Sequence, residues 1–251
     1  MLDNETIQFD ALLDFLESIR KTCIDISLPL AYDAKSVQPV YMCGMFSIVV
    51  ELAGDSCQLV KARKELASHV LTRALLEAVV ELFNVIKNPK YVDVRFQKAL
   101  IERKKKLIHL QENESEIIAE VGQSPEYVES YIHRINKLRD PEIDQPNIKE
   151  RFKTAGMEDY YDSAYSHLCD YAHHDASAII NRNIGLDVIP LDYKGIFMLS
   201  DLIAELLLNA TIAVHEFHDS DQIEELINLK LKWKTIYCQQ VAAHGRAYAR
   251  R

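Results

Sequence analysis

The chain has 251 residues, 48% of them hydrophobic, and is therefore long enough to bury a substantial core. Seven glycines and seven prolines are few for this length, which argues against an all-β or a disordered chain. The formal net charge of −9 argues against indiscriminate binding to DNA or RNA, because such binding depends on many contacts from lysine and arginine to phosphate.

Two helices are predicted near the N-terminus. Apolar side chains recur at three- and four-residue spacing over residues 7–19, which indicates an amphipathic helix. Proline suits the first turn of a helix, so a second helix is predicted from Pro39, with apolar residues through Leu52 and a break at Gly54-Asp55.

A long third helix is predicted over residues 56–88, ahead of Pro89. Its second half is apolar nearly all round from Val70 onward, a pattern typical of a helix surrounded by other helices. Residues 66–86 are the best candidate for a membrane span, but polar residues interrupt them. Because the N-terminus also lacks the basic start and apolar stretch of a secretory signal, we predict a cytoplasmic protein without a membrane segment.

The rest of the chain is predicted to be helical apart from a short extended stretch at 184–192. The predicted helices cover residues 91–113, 125–138, 148–154, 159–178, 194–217 and 219–243. The connector 139–147 is interpreted as a loop within one bundle, because each side alone would have too few helices to cover its apolar surface. We therefore predict an all-α protein, a single bundle of about seven to nine helices around a long buried central helix.

This prediction makes residues 1–251 one domain. Its parts are an N-terminal helix with its connector (1–38), a core bundle (39–217), and a C-terminal helix with a basic tail (219–251). The five cysteines are odd in number, widely scattered and free of C-x-x-C pairs. Neither a disulfide framework nor a zinc ribbon is therefore predicted.

Two charged residues stand out on the third helix. Arg73 and Glu77 are four residues apart, so they project from nearly the same face, which they share with His69 and several apolar residues. Burying two charges costs several kcal/mol per ion unless they pair and find further hydrogen bonds. The pair therefore indicates either a structural network or a ligand site.

A second cluster lies in the helix predicted over 159–178. Tyr165, Cys169 and His173 follow one another at four-residue intervals, whereas His167 and Tyr171 project from the other side. An imidazole held by a carboxylate such as Glu77 can act as an acid or a base near neutral pH. The alternative is that His173 is a core histidine that is satisfied by hydrogen bonds.

The order R-x-x-x-E at Arg73 and Glu77, then Y-x-x-x-C-x-x-x-H from Tyr165 to His173, resembles a widespread bacterial family of helical proteins of unknown function. Members of that family commonly carry serine where this chain has Cys169. The resemblance covers about residues 40–208. The family is similar in architecture to the HEPN superfamily of helical bundles, which includes ribonuclease toxins and antiviral effectors that act as dimers.

The resemblance implies a HEPN-like bacterial stress or phage-defence protein that cleaves RNA or a nucleotide without a metal or cofactor. The implied catalytic residues are His173, Arg73, Glu77 and Tyr165. The implied partners are a second copy of the chain and a protein from the same defence operon. The rival hypothesis is a non-enzymatic dimerising adaptor or sensor, in which the same four residues form a buried polar network.

Two other motifs carry less weight. The nuclease spacing R-x(4–6)-H occurs at Arg63 and His69 and at Arg103 and His109, but chance alone should produce about one such match in a chain of this composition. The His174-Asp175 dipeptide suggests an HD-type metal phosphohydrolase as a minor alternative. It lacks the usual glycine-containing continuation.

Overall fold

A computed structural model describes residues 3–112, 125–138, 146–172 and 193–248. Within these ranges the regular elements are all helical, so the all-α prediction is confirmed. In chain order they are α1 (Asp3–Ser27), α2 (Val37–Lys61), α3 (Glu65–Lys87), α4 (Tyr91–Glu112), α5 (Pro125–Leu138), α6 (Ile148–Ala155), α7 (Glu158–Tyr160), a π-helical turn (Tyr161–Tyr165), α8 (Ser166–Ala172), α9 (Tyr193–Phe217) and α10 (Ile223–Tyr248). The extended stretch predicted at 184–192 lies outside the described residues.

The chain groups into two compact units, one formed by residues 1–87 and 149–251 and the other by residues 88–148. The second unit contains α4 and α5, which pack on each other, with Lys104 donating a hydrogen bond to Asn136 at 2.6 Å. The single-domain organisation stays a prediction. The polar residues of interest described below all lie in the first unit.

The core of the first unit is built on α2, α3 and α9, which pack on one another, while α1 and α10 cover α9. The apolar run of α3 is buried as expected at Leu75, Val79 and Leu82. Val70 is the exception, since 40% of its surface is exposed. The long buried central helix of the prediction is therefore present, although part of its N-terminal half faces outward.

The boundary between α2 and α3 differs from the prediction. The chain stays helical through Gly54-Asp55 and breaks at 62–64, where Arg63 adopts a φ of 54°. The amide of Lys64 bonds to the carbonyl of Leu59, and that of Arg63 to Val60, which is the Schellman pattern that ends a helix. Gly54 serves close packing instead, because a Cβ there would lie 3.2 Å from the side chain of Arg20.

Two helices also correct the expectation that no stretch is suited to span a membrane. By length and composition alone, α2 and α9 both qualify, with mean hydropathies of 1.4 and 1.7 over their most apolar windows. The prediction considered only residues 66–86. It overlooked α2 and α9, in which apolar residues outnumber the polar ones enough to give a high mean hydropathy. More than half of the α9 window, 56%, is buried among the other helices, as is usual for a core helix.

Candidate functional site

The candidate site begins with a row of polar residues on α3. His69, Arg73, Glu77 and Glu81 repeat every four residues and therefore lie along one side of the helix. Each of them contacts a residue between Arg151 and Tyr171. The polar row of α3 is thus the surface on which the segment 149–172 packs.

Arg73, Glu77 and Tyr165 meet in this row as a closed triangle of hydrogen bonds. The guanidinium donates from Nε to Glu77 Oε1 at 3.0 Å and from Nη2 to the Tyr165 hydroxyl at 3.1 Å. The Tyr165 hydroxyl in turn donates to Glu77 Oε1 at 3.1 Å. The guanidinium carbon also lies 5.1 Å from the centre of the Tyr165 ring, within cation–π range.

The triangle is partly accessible to solvent. The side chain of Arg73 is 20% exposed and that of Glu77 is 34% exposed, whereas Tyr165 is buried. A ligand approaching from solvent can therefore reach the guanidinium and the carboxylate. Because both side chains are partly exposed, the ion pair of Arg73 and Glu77 is neither fully solvated nor fully buried. Its net contribution to the stability of the fold is therefore modest.

The electrostatics of the triangle keep Tyr165 and Arg73 in defined protonation states. Burial and, after it, the neighbouring Glu77 carboxylate raise the pKa of Tyr165 to about 12, against the opposing effect of Arg73. Tyr165 is therefore a neutral hydrogen-bond donor at physiological pH. Burial alone would lower the pKa of Arg73, but the bond to Tyr165 and the charge of Glu77 raise it overall, so the guanidinium stays charged.

Tyr165 is positioned by the π-helical turn that it ends. A π-turn widens the helix by one residue and often occurs at functional sites. The ring of Tyr165 stacks on Tyr161, with 5.5 Å between centroids, and lies 5.0 Å from Phe152. The hydroxyl is thus aimed at α3 by a fixed aromatic cluster.

The helical projection was wrong for His167 and Tyr171. Tyr171 stacks on His69 of α3 at 3.8 Å between ring centroids, and His167 contacts both rings edge-on. The projection put these residues opposite Tyr165, yet both Tyr165 and Tyr171 contact α3. A segment that packs along a helix contacts it through more than one row of side chains, so residues on different sides of the segment can both reach α3.

The polar row continues toward the C-terminal end of α3 with contacts that the sequence analysis did not predict. Glu81 forms an ion pair with Arg151 of α6. Asn84 donates to the Arg151 carbonyl at 2.9 Å, and Lys87 donates to the Ala155 carbonyl at 2.6 Å. The only sequence signal for this docking was the four-residue spacing of Glu77 and Glu81.

Several predicted residues cannot be located in the site. His173, His174 and Asp175 lie outside the described residues, as does the side chain of His109. The remaining nuclease-spaced pair does not form a joint site, because its members have different partners. His69 is buried, with Nδ1 donating to the Glu65 carbonyl at 2.8 Å, while the Arg63 guanidinium lies over the Tyr193 ring.

Within the described ranges, no group of three or more His, Cys, Asp or Glu side chains is arranged to hold a metal ion. All five cysteines are free thiols. Cys169, which stands where the resembling family has serine, is partly buried one turn beyond Tyr165. The chemistry available in the triangle is therefore that of a guanidinium, a carboxylate and a neutral phenol.

A second polar cluster, between α7, α9 and α10, was missed by the sequence analysis. Lys234 forms ion pairs with Asp201 at 3.1 Å and Glu205 at 2.7 Å. Trp233 Nε1 donates to Asp201 Oδ1 at 2.9 Å, and the Tyr160 hydroxyl donates to Glu205 Oε2 at 3.1 Å. The four-residue spacing of the two carboxylates on an otherwise apolar helix was the available signal.

Comparison with known proteins gives one result. The model of a family of unknown function, DUF5677, matches residues 40–187, which include Arg73, Glu77 and Tyr165. No curated protein and no solved structure matches the chain. The match spans more than half of the sequence and confirms the predicted relation to an uncharacterised family: the chain belongs to the family of unknown function DUF5677.

Proposed function

We propose that the protein cleaves a phosphate ester bond of RNA or of a nucleotide, with the triangle of Arg73, Glu77 and Tyr165 as part of its active site. The observation that carries this proposal is a charged guanidinium, one fifth exposed, whose direction is fixed by a carboxylate and a buried phenol. A fixed cation that solvent can reach suits a phosphate group that gains negative charge in the transition state.

In the proposed reaction the ribose 2′-oxygen attacks phosphorus, and the bond from phosphorus to the 5′-oxygen breaks. Arg73 binds the phosphate oxygens and stabilises the charge that develops on them. The 2′-hydroxyl loses a proton and the leaving 5′-oxygen gains one; His173 carries out one of these two transfers and solvent water the other. Glu77 orients the guanidinium, and the neutral Tyr165 hydroxyl supplies a further hydrogen bond.

The resemblance to HEPN bundles supports a proposal for the cellular role and the oligomeric state of the protein. We place the protein in the cytoplasm as a stress or phage-defence effector that acts as a homodimer, with a protein encoded in the same operon as its partner. The net charge of −9 favours a local cationic site over a broad basic surface. Such a protein should cleave few sites rather than degrade RNA at random.

A labelled RNA pool incubated with the purified chain, without added metal, tests the proposal. Arg73→Lys keeps the charge but loses the forked geometry, and His173→Ala removes the proton carrier; each should lower the cleavage rate by about 100-fold or more. Arg20→Lys is the matched control, because Arg20 also pairs with a glutamate on its own helix, Glu17 at 2.6 Å. Cleavage that all three variants retain would refute the assignment.

A second candidate function rests on the rest of the polar row. Because the contacts of Glu81, Asn84 and Lys87 continue the triangle along α3, the whole row can act as a structural seam in a non-enzymatic adaptor. That function predicts that Glu77→Ala destabilises the fold by a few kcal/mol. An active-site role predicts a small change in stability and loss of cleavage.

A further inference from the structure

A cavity of about 690 Å³ in the described part of the first unit is bordered by the segment 163–168, α9 and α10. This volume lies in the range of small-molecule sites, which is about 300–1,000 Å³. Its walls are mostly apolar or aromatic: Ala164, Leu168, Phe197, Met198, Leu202, Tyr237 and Val241. A mostly apolar cleft with a few charged groups is the usual form of a ligand site.

The charged groups of the cavity are ordered along one face of α9. Lys194, Asp201 and Glu205 line it at relative positions i, i+7 and i+11, with Phe197 and Met198 between the cation and the carboxylates. At 1.5 Å per residue, Lys194 and Asp201 are about 10 Å apart along the helix axis. The cavity thus has a basic end, an apolar middle and an acidic end.

The acidic end is fixed in place before any ligand binds. Lys234 bridges Asp201 and Glu205, and Trp233 and Tyr160 each donate to one of the two carboxylates. Two carboxylates and one ammonium leave a net charge of −1 here. Carboxylate oxygens have several lone pairs, so they can still accept hydrogen bonds from amino groups of a ligand.

At the basic end is the exposed side chain of Lys194, which forms no hydrogen bond or ion pair with another side chain in the part of the chain that the structure describes. His167 also lines the cavity and lies seven residues beyond Tyr160, which is bonded to Glu205 at the acidic end. Because Glu205 is the last α9 residue in the lining, the cavity extends from it toward Lys194. The lining therefore offers two side-chain nitrogen groups to an anion: the Lys194 ammonium and the His167 imidazole, whose ring also contacts those of His69 and Tyr171.

We propose that this cavity binds a mononucleotide whose base carries an amino group. The phosphate is held by Lys194 and His167, the base lies against the aromatic and apolar walls, and its amino group donates to Asp201 or Glu205. Adenine, guanine and cytosine have such an amino group. Uracil does not: its single N3–H donor lies between two carbonyl oxygens, which the carboxylates would repel. This site is separate from the Arg73 triangle and does not depend on the proposed cleavage.

Calorimetric titration of the intact chain with AMP, adenosine and UMP tests the proposal. AMP should bind about tenfold more tightly than UMP, whose base has no amino group, and about tenfold more tightly than adenosine, which lacks the phosphate. Failure of AMP to bind, or equal affinities for AMP and UMP, would overturn the proposal. Binding is measured without RNA, so this outcome is independent of cleavage.

Variants assign the two ends of the ligand. Lys194→Ala should weaken AMP binding about tenfold and leave adenosine binding unchanged, whereas Lys35→Ala, an exposed control, should change neither. Met198→Trp should block both ligands while keeping the melting temperature, since Met198 is 38% exposed and the larger ring can extend into the cavity. Equal losses of AMP and adenosine in Lys194→Ala, or retained binding in Met198→Trp, would contradict the site.

Discussion

Replacing Glu81 with alanine is expected to lower the free energy of unfolding by about 3 kcal/mol. The Glu81 side chain is 7% exposed and its partner Arg151 is 16% exposed, so the ion pair is largely removed from water. Without Glu81, the Arg151 guanidinium loses its charged partner while it stays largely buried. Breaking a buried pair in this way typically costs about 3–5 kcal/mol. Urea unfolding followed by circular dichroism measures the loss.

The surface pair of Lys61 and Asp14 is the matched control for this experiment. Its nitrogen–oxygen distance is 2.7 Å, yet its side chains are 50% and 66% exposed. Lys61→Ala should therefore cost less than about 1 kcal/mol, because water screens the pair. If Glu81→Ala costs no more than Lys61→Ala, the segment 149–172 is not held to α3 through this ion pair.

Trp233→Ala is expected to produce a loss of similar size, about 3–5 kcal/mol. The indole is fully buried, and its ring stacks with those of Phe15 and Tyr237 at centroid distances of 6.1 Å. The substitution opens a cavity and also removes the hydrogen bond to Asp201. Since Trp233 is the chain's single tryptophan, unfolding must be followed by circular dichroism rather than by tryptophan fluorescence.

Leu231→Ala on the same helix is the control for Trp233. Leu231 is 60% exposed, so its replacement should change the free energy of unfolding by about 0.5 kcal/mol or less. In Trp233→Phe the phenyl ring fills much of the volume of the indole but cannot donate a hydrogen bond to Asp201. Its loss in the free energy of unfolding should lie between those of Trp233→Ala and Leu231→Ala. Equal stabilities for Trp233→Ala and Leu231→Ala would show that α10 does not pack through this ring.

The sequence allowed accurate prediction wherever a helix carries its own start and stop signals. The predicted helix over 125–138 agrees with α5, which begins at a proline, and that over 91–113 ends one residue from α4. The end of α6 was marked by Gly156, whose φ is 72°. Glycine at such a position is the usual signal for the end of a helix.

The break after α2 could not be predicted in the same way. It depends on Arg63 in a left-handed conformation, which arginine rarely adopts, while Gly54 and Asp55 gave a misleading signal inside a helix. Glycine is suited to position 54 because the side chain of Arg20 in α1 packs closely against the backbone there. Tertiary contacts of this kind are not visible in local sequence.

The candidate site was predictable in part. The shared face of Arg73 and Glu77 follows from their four-residue spacing, so their pairing needed no tertiary information. The approach of Tyr165 depends on the packing of a π-turn against α3, which no short-range pattern specifies. Glu81 with Arg151, and Asp201 with Lys234, join residues more than thirty positions apart and were missed for the same reason.

The proposal that the triangle is an active site predicts that the protein needs the Tyr165 hydroxyl for chemistry more than for stability. Tyr165→Phe removes that oxygen alone and leaves the aromatic packing on Tyr161 and Phe152 in place. Arg73 and Glu77 still bond to each other, and both reach solvent. The change in the free energy of unfolding should therefore be about 1 kcal/mol or less.

The most direct test of the proposed active site compares Tyr165→Phe with the unmodified chain. The rate of RNA cleavage and the midpoint of thermal unfolding are both measured on the same preparation of each protein. We expect the rate to fall at least about tenfold while the midpoint moves by only a few degrees. An unchanged rate, or a loss of cleavage that merely follows unfolding of the variant, would contradict an active site built on Arg73, Glu77 and Tyr165.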